Sequence, residues 1–159
     1  ITIIGSEYLG VDKAPGLIIN GIRHEDALQL SFADESIDVI LSNDVFEHVP
    51  DCDKSFSEAF RTLKPGGKLI FTIPFHFTKL QTVKRSDFIN GKMIHYLPEI
   101  YHGNPIDAEK GSLVFYDYGW DVLDRCRSAG FDQCKVLMYH SYFYGYLGDH
   151  FIFVAEKRR

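Results

Sequence analysis

Residues 42–51 read SNDVFEHVPD and follow the apolar run IDVIL, so Asn43, Asp44 and His48 arrive where a buried strand should surface. Imidazole titrates near neutral pH, which makes His48 the leading candidate for a base that removes a proton from a bound acceptor. The other reading of His48 is a hydrogen bond that orders the loop at a helix entry. Two further acids close earlier apolar segments: Asp12 ends YLGVD, and Asp26 stands at the end of GIRHED. A carboxylate just after the second strand of an open parallel sheet can accept hydrogen bonds from both hydroxyls of a ribose. Asp12 can equally be a residue that starts a turn. His76, His95, His102 and His140 are weaker candidates, expected on the surface or in a lid.

These residues need strands to present them. EYLGVD (7–12) and GIRHEDA (21–27) read as short extended segments, and APGLIING between them as a loop or bare extended link. SIDVILSN (36–43) is nearly continuous and β-branched, the mark of a strand covered on both faces. Next comes a helix, capped by Asp51 or Asp53, with Phe56, Ala59, Phe60 and Leu63 on one stripe. KPGG stops it, because proline cannot continue the ladder, and KLIFTIP (68–74) returns as a buried strand. Strand, helix, turn and strand make a right-handed βαβ unit, so the fold class is α/β. GWDVLDRCRSAGF reads as a second helix that turns Trp120, Val122, Leu123 and Cys126 inward and ends at Gly130. The strands KVLMYHSYF (135–143) and HFIFVAEK (150–157) are joined by about six residues, too few for a crossover, so they pair antiparallel.

Residues 75–118 keep no period and are rich in Tyr, His and Phe, as expected of a lid or insert. Tyr96, Tyr101, Tyr116 and Tyr118 can wall an acceptor pocket or pack the insert against the sheet or a second subunit. With 159 residues, 45% hydrophobic and 25% charged, the chain suits one globular domain. A net charge of -5, with no basic cluster before the terminal KRR, argues against nucleic acid as a partner. No apolar run reaches the ~18 residues of a membrane span. Three cysteines without metal-type spacing give neither a disulfide framework nor a zinc site, and no metal is expected; a cytoplasmic setting fits.

YLGVD, HEDALQLSFADESIDVILSNDVFEHVPD and FRTLKPGGKLIFTIP, in that order and spacing, resemble the class I S-adenosylmethionine-dependent methyltransferases that act on small molecules. The closing helix and strand pair are similar to that family's end. The resemblance implies a Rossmann-like, mostly parallel sheet with a C-terminal antiparallel pair, and S-adenosylmethionine as cofactor. It implies that Asp12 holds the ribose, that Asp26 with the backbone of Ala27 and Leu28 flanks the adenine, and that Asn43 and Asp44 line the methionine end and substrate mouth. His48 then stands near a small-molecule acceptor. Methyl transfer from a sulfonium asks mainly for in-line positioning and sometimes a base, which agrees with the lack of a catalytic triad.

The chain departs from the pattern at its start. A strand and glycine-rich loop should precede EYLGVD, where only ITIIGS stands, so a truncated methyltransferase domain with impaired transfer is expected, with an insert at about 75–118. The strand at 37–42 would then border a gap that invites a homo-oligomer. The alternative function is a noncatalytic methyltransferase-like scaffold.

Overall fold

The computed structural model describes residues 1–104 and 109–158. The N-terminal part folds as a small sheet of β1 (Ser6–Glu7), β2 (Ile18–Ile19) and β3 (Ile22–His24), in the order β1-β3-β2. β1 lies parallel to β3, while β2 and β3 are an antiparallel hairpin. The link expected between the first two acids therefore contains a strand. Its turn is Asn20-Gly21, both at positive φ (51° and 81°), the conformation a two-residue hairpin of this twist requires. Of the expected first strand, 7–12, only Glu7 pairs with a neighbouring strand, together with Ser6 before it.

β4 (Ile37–Asn43) leads through a 3-10 turn at Phe46–His48 into α1 (Cys52–Thr62), which hands the chain to β5 (Leu63–Thr72). Asp51 caps α1 by accepting the Lys54 N–H at 3.0 Å. The Pro65-Gly66-Gly67 break lies inside β5 as an irregularity of the β4–β5 ladder, where Ile37 faces Leu63 but Val39 already faces Lys68. Gly66 takes a φ of 82° there, and a Cβ on Gly67 would meet the Lys64 carbonyl at 2.8 Å.

Six short strands follow: β6 (Val83–Lys84), β7 (Ser86–Ile89), β8 (Lys92–His95), β9 (Tyr101–His102), β10 (Ser112–Leu113) and β11 (Tyr116–Asp117). They pair as three antiparallel ribbons, β6 with β11, β7 with β8, and β9 with β10. The chain closes with α2 (Val122–Ser128), β12 (Gln133–Ser141) and β13 (Tyr146–Glu156).

The main sheet runs β12-β13-β5-β4. β4 and β5 are parallel, β13 is antiparallel to both β5 and β12, and the C-terminal pair matches Gln133 with Glu156. The sheet is thus mixed, with β4, β5 and β12 running one way and β13 against them, and the expected antiparallel pair lies at the C-terminus. The connections through α1 and through α2 are both long enough to reverse the chain twice, whereas the tight link from β12 to β13 forces opposed directions. Phe56 of α1, Phe71 of β5 and Phe153 of β13 are buried together, with Phe71 and Phe153 rings stacked at 5.0 Å. Val122 and Cys126 of α2 complete this core, while Trp120, expected inside, is 37% exposed and donates its indole N–H to the Phe77 carbonyl. β4 also differs from expectation. It is the edge strand of this sheet, so Val39 and Leu41 are 48% and 73% exposed and only Ile37 and Ile40 pack on the core. An apolar run reports what a strand can bury, and a neighbouring layer decides whether both faces are covered.

Candidate functional site

Of the acids that the sequence singled out, Asp12 lies in a turn at 10–13, past the end of β1, Asp26 stands just past β3, and Asp44 follows Asn43, the last residue of β4. Beyond β1, the Leu9 N–H donates to Nδ1 of buried His24 at 2.9 Å, which ties the Tyr8–Asp12 segment to β3. Asp12 is largely exposed and paired with Lys13 at 2.6 Å, and that hydrogen bond holds its carboxyl below the ordinary range. The phenol of Tyr8 is raised, first by burial and then by the charges of Asp26 and Asp12. Tyr8 thus feels both carboxylates.

Asp26 opens a tight turn: its Oδ1 accepts the Leu28 N–H at 2.8 Å and its carbonyl accepts the Gln29 N–H. Ala27 and Leu28 lean on the core, so the turn is fixed from below. A residue the sequence reading passed over completes the lock. Glu25 is 6% exposed and accepts the Arg23 Nε–H at 2.7 Å, with the Ser31 N–H and hydroxyl on its other side. With three donors within the fold and almost no exposure, Glu25 positions the Asp26 turn.

At the β4 end, Asn43 stands opposite Thr72, and Asp44 follows in the left-handed region with φ 48°. Two bonds to Thr72 hold that conformation: the Asp44 N–H to the Thr72 carbonyl at 3.1 Å, and the Thr72 hydroxyl to Asp44 Oδ1 at 2.9 Å. The following turn buries Phe46 between Phe56 and Phe71, with ring centroids 4.7 and 5.3 Å away. That anchor draws the next residue, Glu47, fully into the interior, and neither of its carboxylate oxygens has a hydrogen-bond partner. Its carboxyl is pushed up to about 7, chiefly by burial, with the nearby charge of Asp44 adding to the shift.

His48 lies beside it, half-buried, with Nδ1 2.8 Å from the Leu113 carbonyl. A carbonyl only accepts, so Nδ1 carries the proton and Nε2 keeps its lone pair. Burial lowers the pKa of His48, so the ring is neutral at pH 7. The loop-ordering bond considered for His48 is present, made by one nitrogen and leaving the other free. Nε2 lies 3.6 Å from Glu47 Oε1, and Nδ1 of His102 lies 3.7 Å from the same oxygen. The two imidazoles meet edge to face at 5.0 Å. His102 and the carbonyl that orients His48 come from one ribbon, since Leu113 and Ser112 pair with Tyr101 and His102.

The aromatic segment divides between the two roles considered for it. Tyr116 and Tyr118 are buried and donate to the Pro50 and Phe46 carbonyls, so they clamp the 46–50 turn; Tyr96 and Tyr101 are exposed. Of the other histidines, His95 is bonded to Ser86, His76 lies 4.0 Å from Asp117, and His140 packs against Tyr142 on the terminal hairpin. Glu47, which the sequence reading did not single out, and His102, which it weighed only as a weaker candidate, thus join His48 at this turn. Glu47 could have been noticed as the neighbour of His48; nothing local connects His102 to them across 54 positions. The structure also has hollows of about 430 Å³ at Asp132, Gln133, Glu156 and Arg158, and 320 Å³ around Asp121 and Arg125. Neither includes the strand-end residues, which form an open rim.

The family described as Methyltransferase domain matches residues 4–71. An uncharacterized methyltransferase of Mycolicibacterium paratuberculosis is 30% identical, over 87% of this chain and 59% of its own length. Phosphoethanolamine N-methyltransferase 2 of Caenorhabditis elegans is 46% identical over 48 residues, which are 30% of this chain and 11% of that protein. The chain thus spans between a tenth and three-fifths of these relatives. Among solved structures, an S-adenosylmethionine dependent methyltransferase from Mesorhizobium loti superposes with a TM-score of 0.54 at 17% identity, over 87% of this chain and 71% of that one.

Proposed function

Since this chain belongs to the class I S-adenosylmethionine-dependent methyltransferases, we propose that it contributes the nucleoside-binding rim and acceptor mouth for methyl transfer to a small molecule. The observation that carries this reading is the run of acids after neighbouring strands: Asp12 beyond β1, in the segment that the Leu9 N–H ties to His24, and Asp26 just beyond β3, the strand that pairs with β1. The donor set suits a nucleoside. Asp12 is ionised and exposed, so its oxygens can accept both ribose hydroxyls; Asp26 spends Oδ1 on Leu28 and keeps Oδ2 for the adenine side, next to the turn at Ala27 and Leu28.

Asn43 and the strained Asp44 line the far end, where the methionine portion and the acceptor meet. The cofactor supplies an electrophilic methyl group on its sulfonium. The protein's part is to hold an acceptor in line with it and to receive the acceptor's proton, for which the free Nε2 of neutral His48 is suited. The unpaired edge of β4 is where a further strand, including one from a second copy of the chain, would add.

Calorimetry with S-adenosylhomocysteine tests the rim. Saturable one-to-one binding is expected, and Asp12→Ala should weaken it about 10- to 100-fold, the equivalent of one or two charge-assisted hydrogen bonds. If the wild-type protein gives no saturable heat, the rim does not bind a nucleoside, and the domain is a methyltransferase-like scaffold.

A further inference from the structure

The cluster at the 46–48 turn has a feature that proton transfer does not explain. Glu47 is completely buried, yet both of its oxygens are without hydrogen-bond partners, and among the described residues no lysine or arginine pairs with it. A buried carboxyl left alone in this way costs several kcal/mol unless something approaches it. The nearest groups are His48 Nε2 and His102 Nδ1, at 3.6 and 3.7 Å from Oε1. Both distances are too long for hydrogen bonds, which lie at about 2.7–3.2 Å. They are what two donor atoms show when they share a cation: bonds of about 2.1 Å at a tetrahedral angle set ligand atoms ~3.4 Å apart. One donor atom from each of the three residues lies within 4.8 Å of the other two.

The surroundings match this reading. Metal-binding histidines commonly donate their second ring N–H to a carbonyl or carboxylate, which fixes the tautomer, and His48 does so to Leu113. The β9–β10 ribbon carries both that carbonyl and His102, so one element sets the geometry of two ligands. His102 is 38% exposed at its side chain and gives an ion a path from solvent. Asp44 adds negative charge nearby, felt by Glu47 and His48 alike.

We propose that Glu47, His48 and His102 form a binding site for one first-row divalent cation, with coordination positions left open for water or an acceptor oxygen. Two imidazoles and one carboxylate suit Zn²⁺, Fe²⁺, Co²⁺ or Mn²⁺; Ca²⁺ and Mg²⁺ prefer all-oxygen sets. The ion occupies the Nε2 lone pair that otherwise takes up a proton, so in the loaded protein the acceptor would be held and acidified at the ion. That role rests on the methyl-transfer reading; binding itself does not.

The test is a titration of tag-free, chelator-treated protein with Co²⁺, followed by visible absorption, and with Zn²⁺, followed by calorimetry. No cofactor or acceptor is present, so failure of the methyl-transfer reading leaves the result intact. Wild type should bind one equivalent. His102→Ala and Glu47→Gln, each checked for folding by circular dichroism, should weaken binding by more than the roughly 10- to 100-fold that loss of an outer partner costs. Absence of one-equivalent binding in wild type, or equal binding in whichever variant stays folded, would overturn the site.

Discussion

Replacing Glu47 with Gln gives the sharpest test of how the acceptor end is built. In chelator-treated protein the carboxyl is fully buried without partners, and its pKa moves from 4.5 to about 7. At pH 4.5 it is largely protonated in the folded chain. As pH rises, the unfolded chain ionises first while the folded chain holds its proton, so folding loses stability from about pH 4.5 until the folded group ionises near 7. Above that the loss is complete. At 1.36 kcal/mol per unit, a rise of this size corresponds to about 3 kcal/mol. Gln cannot ionise, and any cost of burying its amide is the same at every pH. His48, His102 and Asp44 remain in both proteins, so the difference between them isolates Glu47. Thermal unfolding at pH 4.5, 6, 7 and 8.5 should therefore show Glu47→Gln gaining on wild type with pH, by about 6–12 °C in Tm at the top of the range. Adding Zn²⁺ at pH 8.5 should raise wild type and not the variant. A Tm difference that is flat with pH would refute the reasoning, because it would mean that Glu47 is solvated or paired after all.

Two further substitutions probe the frame around the site. Tyr118→Phe leaves the buried Phe46 carbonyl without its 2.9 Å partner and should cost about 1–3 kcal/mol, seen as a lower urea midpoint with unchanged slope. Lys157 donates to the Phe60 and Leu63 carbonyls at the C-terminal end of α1 and lies 4.5 Å over the Phe60 ring. Lys157→Met keeps the stem and removes the charge, so a loss of about 2–4 kcal/mol in urea unfolding is expected, and a loss under about 0.5 kcal/mol would show those contacts to be idle.

Local chemistry settled much of this protein. The stripe Phe56, Ala59 and Phe60 gave a helix with one apolar face, Leu63 falling just past its end as the first residue of β5, and the link of about six residues expected at 144–149 allowed only an antiparallel close. The positions of Asp26 and Asp44 just past strands were also readable, because each closes an apolar run, whereas Asp12 falls in a turn beyond β1. The Asn20-Gly21 hairpin was not read there, since APGLIING was expected as a loop or bare extended link, although that dipeptide accepts positive φ readily.

Other properties depend on neighbours that a linear pattern does not name. Val39 and Leu41 look like core residues until the sheet ends at β4 and leaves them outside. Trp120 has the position of an inward residue, yet its indole finds the Phe77 carbonyl near the surface. Above all, Glu47 is an ordinary acid in sequence. It becomes a buried, unpartnered carboxyl because Phe46 is pulled into the core, and it meets His102 because a distant ribbon docks on that turn. Periodicity and turn chemistry act over a few residues and fix the elements; burial, charge and encounter act through space and arise only when those elements pack.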